Sequence, residues 1–177
     1  MRTLFAPASF RVMNLHALTE AAFVGDEDVR TFLTAFHDGS LPRSAWNHRA
    51  HMTAALSFGR AFAPAGALNG MRTAILRFND AAGIVSTPDE GFHETITVFY
   101  MHVVTLHVQR NPVPVSLASD ANAFVEAWGD PRLPLDYYSK DRLFSRLARA
   151  QWLTPDLQPL PEIMPAGMPQ RAMSSTS

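Results

Sequence analysis

Prolines and glycines divide this chain into lengths whose apolar residues recur every three to four positions, and that punctuation limits the fold more than any other feature. Asp26 stands before a stripe of Val29, Phe32, Leu33 and Phe36, which Gly39 and the Leu41-Pro42 step bring to an end. Ser44 is placed to cap a second helix running to about Phe62, before Pro64. Leu68, Met71, Ile75, Phe78 and Ala82 give a third, closed by Gly83. Residues 84–91 hold Ser86, Thr87, Pro88 and Gly91 and read as a loop. A fourth helix covers about Phe92 to Val108 and stops before Asn111-Pro112. A fifth starts at Ser119, presents Ala121, Phe124, Val125 and Trp128, and stops at Gly129-Asp130-Pro131. The last is capped by Ser139 and carries Leu143, Phe144 and Leu147. No sustained alternation of apolar and polar residues argues for a sheet. The expected fold is all-α, a single bundle of five or six helices.

The ends read differently. Residues 1–24 are expected to be a flexible leader: Met1 to Leu18 carry Arg2 and Arg11, no acid, and no apolar run fit for export. Residues 25–160 form the helical domain, and 161–177 a disordered tail with Pro161, Pro165, Pro169 and a closing Ser174-Ser175-Thr176-Ser177. A length of 177 residues suits one domain, and a hydrophobic content of 47% supplies its core. A net charge of -1 leaves no positive surplus for nucleic acid, and the absence of cysteine removes thiolate sites and thiol nucleophiles. No apolar run approaches the roughly 18 residues of a membrane span, so a cytoplasmic location is expected, with oligomeric state left open.

Histidines then mark two of the helices. At about 100° per residue, His48, His51, Ala55, Phe58 and Phe62 share one arc, with Arg49, Thr53, Ser57 and Arg60 opposite. His93 shares an arc of the fourth helix with Ile96, Thr97, Tyr100, Val103, Val104 and His107, while His102 faces away. Buried imidazoles one turn apart are costly without partners. A divalent transition metal (iron, copper or zinc) held by His48, His51 and His93 removes that cost and leaves an open position. Glu94 is then a fourth ligand or a base acting on bound water. Trp46, Phe58, Phe92 and Tyr100 offer aromatic walls, which suit a small apolar substrate and favour oxygen chemistry at iron or copper over zinc hydrolysis.

Two other readings stay open. One is a metal-free enzyme with His93 as general base and Glu94 or Tyr100 orienting it or the substrate. The other is a non-catalytic ligand- or partner-binding helical protein. His107 lies too far along the helix from His93 to share an ion and reads as a core or partner-facing residue. His37, in the last turn of its helix, suits the helix dipole. Arg142, Arg146 and Arg149 recur along one side of the last helix as a solvated face, with anion binding at Arg142 the less favoured alternative.

Three blocks in order also carry a resemblance. Trp46-Asn47-His48-Arg49-Ala50-His51, Gly91-Phe92-His93-Glu94-Thr95-Ile96-Thr97, and Tyr137-Tyr138-Ser139 with Arg142-Leu143-Phe144-Ser145 resemble a family of uncharacterised small bacterial proteins. That family has a W-x-H-x-x-H block followed by an aromatic-H-E-T block, and the resemblance covers about Asp26 to Leu160. It implies that the second and fourth helices belong to one site and supplies no reaction. Where this chain has His37, relatives often carry Glu, so a metal-binding role there would pass to His37.

Overall fold

The computed structural model describes residues 15–87 and 89–163. Among these residues the chain is helical, without a strand. Five long helices make the bundle: α2 (Asp26–Asp38), α3 (His48–Ala61), α4 (Pro64–Ala81), α5 (Glu94–Arg110) and α6 (Leu117–Trp128). Three short ones flank it: α1 (Leu15–Glu20), α7 (Lys140–Leu143) and α8 (Arg146–Ala150). No helix among the described residues is long and apolar enough to cross a membrane.

Helix ends follow local chemistry, at positions slightly different from those the spacing predicts. Asp26 is the first residue of α2 rather than its cap, and its carboxylate accepts from the Ala118 N–H, 2.9 Å away, tying α2 to α6. Asp28 turns back instead and accepts from the Val24 and Gly25 N–H groups. Gly39 ends the helix with φ +81°, a left-handed position that costs a side-chain-bearing residue far more. The cap of α3 is Asn47, which accepts from Ala50 N at 3.0 Å, because Ser44 is used in a short 3-10 turn over Arg43–Ala45. Pro64 does not merely follow α3; it opens α4, where its missing N–H costs nothing. Ser116, three residues before the predicted start, caps α6. The expected last helix is split in two by Ser145, whose hydroxyl caps α8 just as Ser139 caps α7.

At the centre lies α3, packed against α4, α5 and α6. The side that carries Arg49, Thr53, Ser57 and Arg60 is covered as well, and Thr53 is only 2% exposed. α6 covers that side: Arg60 donates to both Asp120 oxygens and Arg49 to the Asn122 side-chain oxygen, while Arg49 Nε stays buried without a hydrogen-bond partner among the described residues. Gly59 permits the close approach on another side, since a Cβ there would strike the Val104 side chain of α5.

Residues just before α2 pack onto the bundle as well. Thr19 and Phe23 are buried, His16 bonds the Ser44 carbonyl, and Asn122 bonds both the N–H and the carbonyl of Phe23. Residues 15–24 therefore belong to the domain, and only 1–14 of the expected leader lie outside the described residues. After α8 the chain runs without helix along the bundle. Thr95 bonds the Gln151 carbonyl and Leu153 N–H, Tyr138 donates to the Leu153 carbonyl, and His102 bonds the Pro161 carbonyl at 2.7 Å. The expected tail from 161 lies outside the described residues beyond Ile163.

Candidate functional site

A cavity of ≈ 410 Å³ opens between α3, α4 and α5. Met52 and Ala55 from α3, Met71 and Ile75 from α4, and Ile96 and Met101 from α5 make its walls apolar. The loop residues Ile84, Gly91 and Phe92, with Phe144 and Arg149, close its outer side. His48, His51, His93 and Tyr100 all line it, so the histidines singled out from the sequence share one cavity. They are not equivalent there.

His93 is the N-cap of α5, not a residue within its first turn. Its Nδ1 accepts from the Ile96 N–H at 3.3 Å, and its Nε2 lies 3.0 Å from the Leu143 carbonyl. A backbone N–H can only donate and a carbonyl only accept, so Nε2 carries the proton and both nitrogens are occupied. Burial lowers the pKa of this ring, and the Arg149 charge lowers it further, which agrees with a neutral tautomer. As a metal ligand or general base, His93 would first have to release one of these bonds.

His48 and His51 contrast with it. His48 Nε2 is buried without a hydrogen-bond partner among the described residues. Burial lowers its pKa, opposed by the nearby Asp130 carboxylate and Gly129 carbonyl. A neutral imidazole keeps a lone pair on one of its two nitrogens. The His51 ring lies against Trp46, centroids 3.9 Å apart, and its pKa is pushed down to about 3 by burial and by the proximity of His48. No hydrogen bond from this ring joins it to another described residue. Trp46 is held between Phe36 and Phe78, with centroids 4.7 Å away on each side, and its Nε1 is also buried without a partner. Three polar side chains that the packing leaves unpaired thus meet at one end of an apolar cavity.

The expected carboxylate is elsewhere. Glu94 does not line the cavity; both its oxygens accept from Arg72 of α4, with Nε at 3.0 Å from Oε2. As the first residue of α5 it projects toward α4, and the ion pair holds it there. Tyr100 donates its hydroxyl to the Asp130 carbonyl at 3.0 Å, and its ring meets the edge of His48. Burial, and next the Asp130 charge, raise its pKa, so it stays a phenol. Among the described residues no group of three His, Cys, Asp or Glu side chains is placed to hold a metal ion. His93 differs from His48 and His51 in that capping α5 and bonding the Leu143 carbonyl occupy both of its nitrogens.

Of the expected aromatic walls, Trp46, Phe92 and Tyr100 line the cavity and Phe58 does not; it packs with Phe62 and His37. His37 is exposed on α2, outside the cavity. Arg142 is tied to the Thr154 carbonyl at 2.7 Å. Two cavity residues were not anticipated. Asn79 lies on the Met71–Ile75 stripe of α4, and the rule that exposed the histidines, a polar residue on a buried stripe, applies to it equally. Arg149 had been assigned to a solvated face, and nothing in its spacing distinguishes it from Arg142 or Arg146. No family model, characterised protein or solved structure matches the chain.

Proposed function

We propose that the protein acts on a small, mainly apolar molecule held in this cavity, with His48 as proton acceptor and Trp46 and His51 engaging the molecule's polar group. One observation carries this reading: Trp46 Nε1, His48 Nε2 and the His51 ring have no hydrogen-bond partner among the described residues and line the same apolar-walled space. A buried polar group left unpaired costs about 1–3 kcal/mol, and folded proteins keep few of them. Three at one cavity are explained by a ligand that supplies the missing bonds. Neutral imidazoles suit the role, because a lone pair on a ring nitrogen accepts a proton where a charged ring could not.

A second reading has a specific observation behind it. Two neutral histidines one turn apart on α3 offer lone pairs to a transition metal (iron, copper or zinc), with the substrate or water filling the remaining positions. Such an ion would supply Lewis-acid or oxygen chemistry, as an oxygenase or hydrolase requires.

Titration with 1-octanol, followed by calorimetry and by the ring-nitrogen resonances of His48 and His51, tests the first reading. The expected result is one site per chain, movement of the His48 Nε2 resonance, and loss of binding in Ile96→Trp, which fills the cavity. If octanol leaves both histidines unmoved and binds no differently to Ile96→Trp, the cavity is not the site. Elemental analysis of protein purified without chelator addresses the second reading. Metal near one per chain, lost in His51→Ala, is its expected result, and wild-type protein that takes up no iron, copper or zinc ends it.

A further inference from the structure

We propose that the molecule held in the cavity is a mainly apolar carboxylate, with its anionic head at Arg149 and the polar group that Trp46, His48 and His51 engage carried farther along its hydrocarbon body. This rests on the cavity's being a small-molecule site and adds the ligand's charge and orientation. Arg149 lines the cavity and is anchored through one nitrogen only: Nη1 donates to the carbonyls of Gly91 and Phe92, 3.2 Å from each. Its Nε and Nη2 have no hydrogen-bond partner, and no carboxylate pairs with it, among the described residues. Residues 1–14 and 164–177 contain no Asp or Glu.

Other arginines around the bundle do have acids: Arg60 has Asp120, Arg72 has Glu94, and Arg146 has Asp89. Arg149, like the half-buried Arg49, has no acid paired with it among the described residues, but of the two it alone lines the cavity, and no acidic side chain stands in that lining. A guanidinium with two donors free and one charge to offer suits a monoanionic carboxylate better than a dianion. Among the described residues that line the cavity Arg149 is the one Lys, Arg, Asp or Glu, so an anionic head is attracted to it, while Ile75, Ile96 and Met101 give the body apolar walls.

Calorimetric titration with octanoate and 1-octanol, equal in chain length and different in charge, tests this at pH 7. Wild-type protein is expected to bind octanoate at least tenfold more tightly than octanol. Arg149→Gln should bring the two to parity, and Arg149→Lys, which keeps the charge, should retain the preference for octanoate. Because Arg149 also secures the Gly91 and Phe92 carbonyls, circular dichroism checks the fold of both variants, and the wild-type comparison stands without them. Equal binding of the two probes by wild-type protein overturns the anion assignment and leaves the cavity reading intact. A preference undiminished in Arg149→Gln overturns it too, by placing the anion elsewhere. Binding of neither probe removes both proposals together.

Discussion

Two histidine clusters, one at each side of α3, make opposite use of burial. On the α6 side, His107 Nε2 lies 3.0 Å from Asp120 Oδ1, while Arg60 grips both Asp120 oxygens at 2.7 and 2.8 Å. Burial acts to raise the Asp120 pKa, but hydrogen bonds from His107 and Arg60, and their charges, hold the carboxyl below its usual range. Every group in this cluster is matched within the protein. Across α3, at the cavity, the polar atoms of Trp46 and His48 are equally enclosed and unmatched. A buried polar residue therefore says little by itself; whether its partners come from the chain separates a clip from a site.

Removing the carboxylate from the matched cluster should produce the largest effect. Asp120→Ala leaves Arg60 and His107 buried without a counterpart, and loss of one partner from such a pair costs about 3–5 kcal/mol. Urea unfolding at pH 7 should show a loss of that order, with octanol affinity of the remaining folded protein close to wild type. A loss below about 1 kcal/mol would mean that water already reaches the cluster and that the two sides of α3 do not differ as described.

Acid separates the clusters next. The folded His51 has a pKa of about 3, against about 6.5 for an unfolded histidine. Below pH 6.5 the unfolded chain binds the proton and the folded protein does not, so stability is complete above 6.5 and declines as pH falls toward 3. The slope is about 1.4 kcal/mol per pH unit for each fully separated group, and the lowered pKa values of His48 and His93 act in the same direction. Asp120 behaves otherwise: its folded pKa is below the unfolded value, so its contribution is complete above about 3.8 and is lost as pH falls through the folded value. Unfolding midpoints between pH 8 and 4 should fall in wild-type protein and in Asp120→Asn alike, and fall less steeply in His51→Leu.

His51→Leu also bears on stability at neutral pH, with a smaller effect. An apolar side chain there removes an unpaired imidazole, a change expected to be neutral or stabilising by up to about 1 kcal/mol. Ligand affinity should fall even so. A destabilisation beyond about 2 kcal/mol at pH 7 would reveal a structural bond for this ring and move it into the same class as His107.

Much of this contrast was legible in the sequence, and the limits are instructive. Apolar spacing marks α2 to α6 because each buries a stripe, and the same spacing puts His48, His51 and His93 beside one cavity. It cannot show that His93 caps α5, since a cap stands one residue outside the helix whose periodicity is being read. Nor could it show that Arg49 and Arg60 face α6, because polar residues opposite an apolar stripe look solvated until Asn122 and Asp120 are brought against them. The split of the last predicted helix hides for a related reason: Ser145 fits a helix interior by spacing and becomes a cap only through local hydrogen bonding. Arg149 is the sharpest case, since only the placement of α8 over the loop at Gly91 distinguishes it from its neighbours.

The smallest effect is expected at Glu94, the one acid that adjoins a cavity histidine in sequence. Its side chain is 12% exposed and paired with that of Arg72, itself 32% exposed, across the α4–α5 contact. Glu94→Gln keeps the shape and one hydrogen-bond acceptor while removing the charge, so a partly exposed pair should lose no more than about 1 kcal/mol of stability. Its place at the start of α5 adds a few tenths, because an anion there complements the helix dipole. Octanol and octanoate affinities should both stay within twofold of wild type, since the carboxylate does not line the cavity. Were Glu94 instead the base of the site, any reaction found there would collapse in this variant while binding survived. Were it a metal ligand, metal content would fall as well. Unchanged binding, turnover and metal content, together with a small stability loss that Arg72→Met reproduces and that does not add in the double variant, would assign Glu94 to the α4–α5 contact alone.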